Sequence, residues 1–175
     1  ISQTPDLSWL VKGAAQTEDP AVMINDKHYA VLVPGCSLAK PQKRWPADRF
    51  AAIGNELVSR GFEIVLVGTA YDREAVNAVL AASPDAINLC GKTNLVRLAR
   101  LLGGAAFVIG NDSGPMFLAA RTGVPSLMIM GPDTDPTMSV PKGAEASWLR
   151  GAPIPKVSAA AVIGALESLG LKPKA

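Results

Sequence analysis

Charge, aromatic rings and metal-binding side chains are all scarce in this chain of 175 residues. Charged residues make up 18%, aromatic residues 5%, and the formal net charge is +2. The basic residues are scattered rather than striped, which gives no support to a nucleic-acid partner. One histidine, His28, and two cysteines, Cys36 and Cys90, form neither a transition-metal ligand set nor a disulfide framework. The cysteines are expected to be free thiols in a reducing compartment. No apolar run approaches the roughly 20 residues of a membrane span, and no basic start followed by an apolar run marks a secretory leader. The chain opens at Ile1 instead of methionine, which fits either a processed product or a piece of a longer protein.

Familiar motifs are missing too. Without G-x-x-x-x-G-K-[ST] a P-loop nucleotidase is unsupported, and without G-x-G-x-x-G after the first strand a dinucleotide site is weakened. Ser113 lies in Asn-Asp-Ser-Gly-Pro rather than G-x-S-x-G, and a hydrolase triad would find no histidine partner for it.

What the chain does contain is aliphatic. Hydrophobic residues reach 49%, mostly Ala, Val, Leu and Ile, which favours an α/β domain with continuously buried strands. Residues 1–27, punctuated by Asp6, Asp19, Pro20, Asn25 and Asp26, read as a linker to a further domain. From His28 onward short aliphatic runs alternate with helical spacing. Strands are expected at 29–33, 63–67, 86–89, 105–109 and 126–130. Helices are expected from Pro46 to Gly61, at 71–82, from Leu95 to a stop at Gly103-Gly104, from Pro115 to Thr122, and at 158–169. The Pro-rich stretch 132–155 reads as irregular. The units are then a linker at 1–27, a Rossmann-like domain at 28–150, and a tail with a helix at 151–175. Strict alternation implies a parallel, doubly wound sheet with helices on both faces.

Such sheets bind ligands beyond the carboxyl ends of their strands. Four glycine-bearing loops fall there, at Gly35, Gly68, Gly110 with Gly114, and Gly131. The turn Gly110-Asn111-Asp112-Ser113-Gly114-Pro115 feeds a helix, and its backbone N–H groups suit an anion. The alternative is a helix capped by Asp112 or Ser113 with nothing bound. Ser37, Lys40, Lys43 and Arg44 sit in the loop after the first strand, as ligands of a diphosphate or as a solvated basic loop. Asp72 or Glu74, past the second strand, either takes a ribose or compensates a helix dipole.

In order and spacing these segments resemble the C-terminal domain of family 9 glycosyltransferases, the ADP-heptose:lipopolysaccharide heptosyltransferases. The resemblance runs from about Tyr29 to Gly143. It rests on Lys43-Arg44-Trp45-Pro46, on Asn88-Leu89-Cys90-Gly91-Lys92-Thr93-Asn94-Leu95, and above all on Asn111-Asp112-Ser113-Gly114-Pro115-Met116. It implies the C-terminal half of a two-domain GT-B enzyme of lipopolysaccharide core assembly. On that resemblance Ser37 and Lys43 meet the donor diphosphate, Asp72 or Glu74 the ribose, and Asp112, Ser113 and Gly114 the phosphate and sugar. Transfer would invert the sugar carbon, with Lys43 steadying the leaving group and no cofactor or metal required. The base and the lipopolysaccharide-type acceptor site would belong to an N-terminal domain, so the chain alone should bind donor without transferring sugar. The expected place is the cytoplasm, at most peripheral to the inner membrane. Phe117 stands where the family usually has histidine, which implies an altered donor, impaired catalysis or simple packing. A non-catalytic relative and a UDP-sugar GT-B enzyme such as an epimerase are the competing readings.

Overall fold

A computed structural model describes Ile24 and residues 28–172. The expected linker at 1–27 therefore lies outside the described residues, apart from Ile24. Six strands form one sheet in the order β3-β2-β1-β4-β5-β6. They are β1 (Tyr29–Val33), β2 (Glu63–Leu66), β3 (Ile87–Asn88), β4 (Phe107–Asn111), β5 (Ser126–Met130) and β6 (Ala146–Arg150). Every pairing is parallel, so the Rossmann-like expectation holds.

The strand sequences explain both faces. Along β1, Ala30 and Leu32 enter one apolar cluster while Tyr29, Val31 and Val33 enter another, the two-residue alternation of a pleated strand. Both faces are covered, so all five residues are buried. The first cluster takes Phe50, Ile53 and Leu57 of α1 (Ala47–Ser59), Val76 and Val79 of α2 (Arg73–Leu80), and Val162 and Leu166 of α5 (Ala159–Ser168). The second takes Leu101 and Leu102 of α3 (Leu95–Gly104) and Met116 and Ala119 of α4 (Gly114–Thr122). Each fully buried Leu, Ile or Phe contributes about 1.5–3 kcal/mol. Serving both faces with Leu, Ile, Val and Ala removes the need for many aromatics.

Most elements end within two residues of expectation, and three differences have a physical reason. The stretch 132–155 is not wholly irregular, because β6 extends the sheet at its edge. Its residues are half-buried or exposed, so it lacks the buried aliphatic run that marks the other long strands. Pro46 occupies the cap position of α1 rather than its first turn. Gly103-Gly104 do not stop α3, which runs through both and is capped at Ala105, and β4 accordingly starts at Phe107. Gly104 instead makes room for a neighbour. A Cβ there would lie 2.8 Å from the Tyr29 hydroxyl, with the next ring atom at 3.8 Å, and that hydroxyl donates to Leu101 O at 2.7 Å.

Removing the hydroxyl in Tyr29→Phe should destabilise by about 1 kcal/mol. Gly104→Ala alone should be worse, because steric crowding of this kind costs about 1–3 kcal/mol. In the Tyr29→Phe background Gly104→Ala should become neutral or stabilising, since space is cleared and alanine is worth about 1 kcal/mol over glycine in a helix. Urea unfolding of the four proteins checks this, and additive effects would exclude the steric account.

Candidate functional site

The strand order reverses between β1 and β4, and parallel sheets open a crevice at such a point. One residue organises the crevice. Asn111 ends β4 and is fully buried. Its Nδ2 donates to Pro34 O at 2.8 Å, and its Oδ1 accepts the Trp45 backbone N–H at 2.9 Å. Pro34 and Trp45 bracket the loop carrying Ser37, Lys43 and Arg44, so one amide holds both ends of that loop. Trp45 is anchored further by its indole N–H, which donates to Val157 O at 2.8 Å, and by an edge-on contact with Phe50.

Lys43 then reaches back to the turn after β4. Its ammonium donates to Asp112 Oδ2 at 2.5 Å, with the two side chains only 15% and 7% exposed. The Thr134 hydroxyl donates to the same oxygen. Ser113 occupies the cap position of α4, but its hydroxyl donates to Asn111 O at 3.1 Å and makes no side-chain cap. Of the two residues that the capped-helix alternative named, Ser113 thus takes the cap position, without a side-chain bond to the helix. A helix start without a side-chain cap leaves first-turn N–H groups for another acceptor.

Asp72 is placed differently from a free ribose ligand. It ends a short 3-10 turn, Ala70–Asp72, in which its Oδ2 accepts both the Thr69 N–H and the Thr69 hydroxyl at 2.8 Å. A Cβ on Gly35 would lie 2.2 Å from Asp72 Oδ1, and one on Gly68 would lie 2.8 Å from its Cβ. Two of the strand-ending glycines are thus explained by the carboxylate wedged between their loops. Glu74 is exposed in the first turn of α2.

Between these loops lies a cleft of about 870 Å³, within the usual range for small-molecule sites. Ser37, Asp72, Ser113 and Gly114 line it; Lys43, Asp112 and Glu74 do not. Lys43 and Asp112 are joined to it through the chain, since Asp112 adjoins Ser113. Strand order sets its polarity. Over β3, β2 and β1 stand Leu95, Tyr71 and Leu38, exposed by 67%, 73% and 59%. At the β4 end stand the Ser113 hydroxyl and the start of α4. One end is apolar and the other suits an anion.

Cys36 and Cys90 are both free and buried. Burial pushes both thiols up from their ordinary value, which Arg44 partly opposes at Cys36 and Arg73 at Cys90. Phe117 is half-buried and packs against the α3/α4 cluster, as its simple-packing alternative requires. Sequence reasoning gave no role to Thr134, Thr69 or the apolar trio. Exposed Leu and Tyr in loops at the ligand edge were the available signal for the trio.

The Asn111 geometry makes a quantitative prediction. Asn111→Ala would leave Pro34 O and Trp45 N–H buried without their partner, at about 1–3 kcal/mol each. We expect a loss of about 2–4 kcal/mol in urea unfolding. A loss under about 0.5 kcal/mol, the level of an ordinary surface substitution, would show that the amide does not hold the loop.

Comparison with known proteins gives a consistent family. The model of glycosyltransferase family 9 (heptosyltransferase) matches residues 2–159. The lipooligosaccharide heptosyltransferase 2 of Haemophilus influenzae is 30% identical over 138 residues, 76% of this chain and 39% of that protein. A family 9 glycosyl transferase of Veillonella parvula superposes with a TM-score of 0.76 at 26% identity, over 92% of this chain and 49% of the other. The E. coli ADP-heptose lps heptosyltransferase II has the same fold, with a TM-score of 0.76 at 24% identity over 95% of this chain and 52% of the other. The chain thus spans about two-fifths of that curated relative and about half of each solved one.

Proposed function

The chain belongs to glycosyltransferase family 9, and from that premise we propose that its described domain is the donor-binding half of an inverting heptosyltransferase of lipopolysaccharide core assembly. The donor is an ADP-heptose-like nucleotide sugar, the class named for the E. coli relative. The observation that carries this reading is the polarity of the cleft. A flat base fits the apolar end at Leu95, Tyr71 and Leu38, and a diphosphate fits the helix start at Ser113 and Gly114. A Cβ on Gly114 would meet nothing within 4 Å, so the space beside the helix start is open to a ligand.

In this reading Ser37 and the backbone at Ser113–Gly114 hold the phosphates, and Asp112, which holds Lys43, stands beside them on the sugar side. Asp72 offers the ribose the carboxylate oxygen that Thr69 does not hold; exposed Glu74 falls outside the cleft lining. The acceptor hydroxyl loses its proton to a base and attacks the anomeric carbon opposite the diphosphate. The bond to the leaving oxygen breaks with its electron pair, and ADP departs. Lys43 sits beside the anion end and steadies the charge that develops there. We place the base and the lipopolysaccharide acceptor site in the part of the relatives that this chain does not cover, so the chain binds donor without transferring sugar. Residues 28–150 form the donor domain, and the segment 151–172 packs on it through Val162 and Leu166. Among the described residues no helix is long and apolar enough to cross a membrane; we place the enzyme in the cytoplasm, with at most peripheral contact at the inner membrane.

A second reading, a relative that binds nucleotide but transfers nothing, draws on Phe117, which packs half-buried against the α3/α4 cluster and has a side chain that cannot hydrogen-bond. Sugar transfer by the complete protein separates the two.

Thermal unfolding of the chain with ADP, UDP and NAD tests donor binding. At a hundredfold excess over its dissociation constant a ligand stabilises by about 2.7 kcal/mol, a shift of several degrees. We expect that shift with ADP and a much smaller one with UDP or NAD. Lys43→Ala should weaken ADP roughly tenfold or more, as expected for a charge-assisted contact. A shift with UDP alone would replace the heptose donor by a UDP-sugar. No shift with any nucleotide would remove the donor-site reading for this domain.

A further inference from the structure

The loop after β5 holds a buried hydroxyl that the donor reading leaves unused. Thr134 is 3% exposed, in a turn whose backbone N–H points to Gly131 O. Its Oγ1 donates to Asp112 Oδ2 at 2.5 Å, the oxygen that also accepts from Lys43. The next residue back repeats the connection, since Gln42 Nε2 donates to Asp133 Oδ2 at 2.9 Å. The backbone of Asp112 is fixed from the same side, its N–H donating to Ile129 O of β5 at 3.1 Å. Strand β5 and its loop therefore determine where the Asp112 carboxylate lies, and that carboxylate determines where the Lys43 ammonium lies.

We propose that Thr134 is a positioning residue for the anion end of the cleft, setting the Lys43 ammonium through Asp112. The proposal rests on the donor-site reading for its consequence in binding, but its geometry stands without a ligand. An arriving diphosphate competes with Asp112 for Lys43. With the Thr134 hydroxyl in place, the carboxylate is partly satisfied and held still, so the ammonium can be shared with the phosphate. Without it, Asp112 has Lys43 as its remaining donor of this pair and is free to swing, and the ammonium becomes less available. Thr134 touches no reacting atom; it acts only through Asp112.

The test uses the chain with Thr134→Val, which keeps the shape and removes the hydroxyl, and Thr134→Ser, which restores it. ADP is the binding probe, measured by calorimetry. We expect Thr134→Val to weaken ADP roughly fivefold to tenfold and Thr134→Ser to stay within about twofold of the original. In a Lys43→Ala background, Thr134→Val should add less than about twofold, because the residue it positions is gone. Equal weakening in both backgrounds would mean a merely structural role and would overturn the proposal. The ligand-free arm follows the Lys43 ammonium resonance in lysine labelled with nitrogen-15, assigned by its loss in Lys43→Ala. It should shift or broaden in Thr134→Val and be restored in Thr134→Ser; an unchanged resonance overturns the proposal whatever the nucleotide does. A perturbed resonance with no ADP binding even by the original chain would retain the positioning and discard the donor reading. Thr134→Ala replaces the valine variant should valine prevent folding.

Discussion

A buried amide at the carboxyl end of β4 is the constraint on which the site depends. The loop after β1 is long, basic and largely exposed, and such a loop would ordinarily sample many arrangements. Asn111 removes most of that freedom by bonding Pro34 at its start and Trp45 at its end. A side-chain amide suits the task because it donates and accepts at once. Leucine would satisfy neither polar group, and aspartate would bring a charge to a fully buried position. The Trp45 indole then ties the loop end to the segment before α5, so the far end of the chain also braces the ligand edge.

The same economy recurs one loop away. Asp72 holds Thr69 with one oxygen and lies against Gly35 with the other, so the loops after β1 and β2 are packed on a single carboxylate. The polar groups around the cleft are thus largely satisfied by each other. That arrangement avoids unpaired buried charge, which is expensive, but it means that an anionic ligand must exchange partners instead of filling open valences. On the donor reading we propose, binding would then depend on how cleanly Lys43 can be shared, not only on how many donors surround the ligand.

Much of this architecture could be read from the chain, and the reason is local. Strands β1 and β5 are short, mainly apolar runs ended by Pro34 and Gly131, and Gly61 and Gly123 stop their helices at φ values of 89° and 83°, as glycine allows. Alternation of strand and helix was enough to place four glycine-bearing loops at one edge. Half-exposed β6 lacks such a local signature, whereas β3 was legible at 86–89 although it is only two residues long. The unforeseen features of the site are pairings over long distances along the chain. Lys43 with Asp112 spans 69 residues and Asp112 with Thr134 spans 22. Such pairs follow from strand order, and alternation alone does not fix strand order. Asp72 was readable as a carboxylate at the ligand edge, but not as a cap, because Thr69 engages it only once the 3-10 turn forms.

Strand order also explains why the polar end lies where it does. At β1 and β4 the chain leaves the sheet in opposite senses, so α1 covers one face and α4 the other. The crevice between them cannot be filled by either helix, and the start of α4 is left facing it. Over β2 and β3 both connections fall to the same side of that crevice, and their loops present Tyr71 and Leu95 instead. The proposed donor, with an apolar plate and an anionic tail, would therefore have one orientation along the edge. The connection from β5 to β6, the segment with the weakest pattern in the sequence, closes the anion end through Thr134 and Asp133. Placing a hydroxyl in a tight turn beside the Lys43–Asp112 pair requires no periodicity, only that β5 lie next to β4, which the sheet supplies.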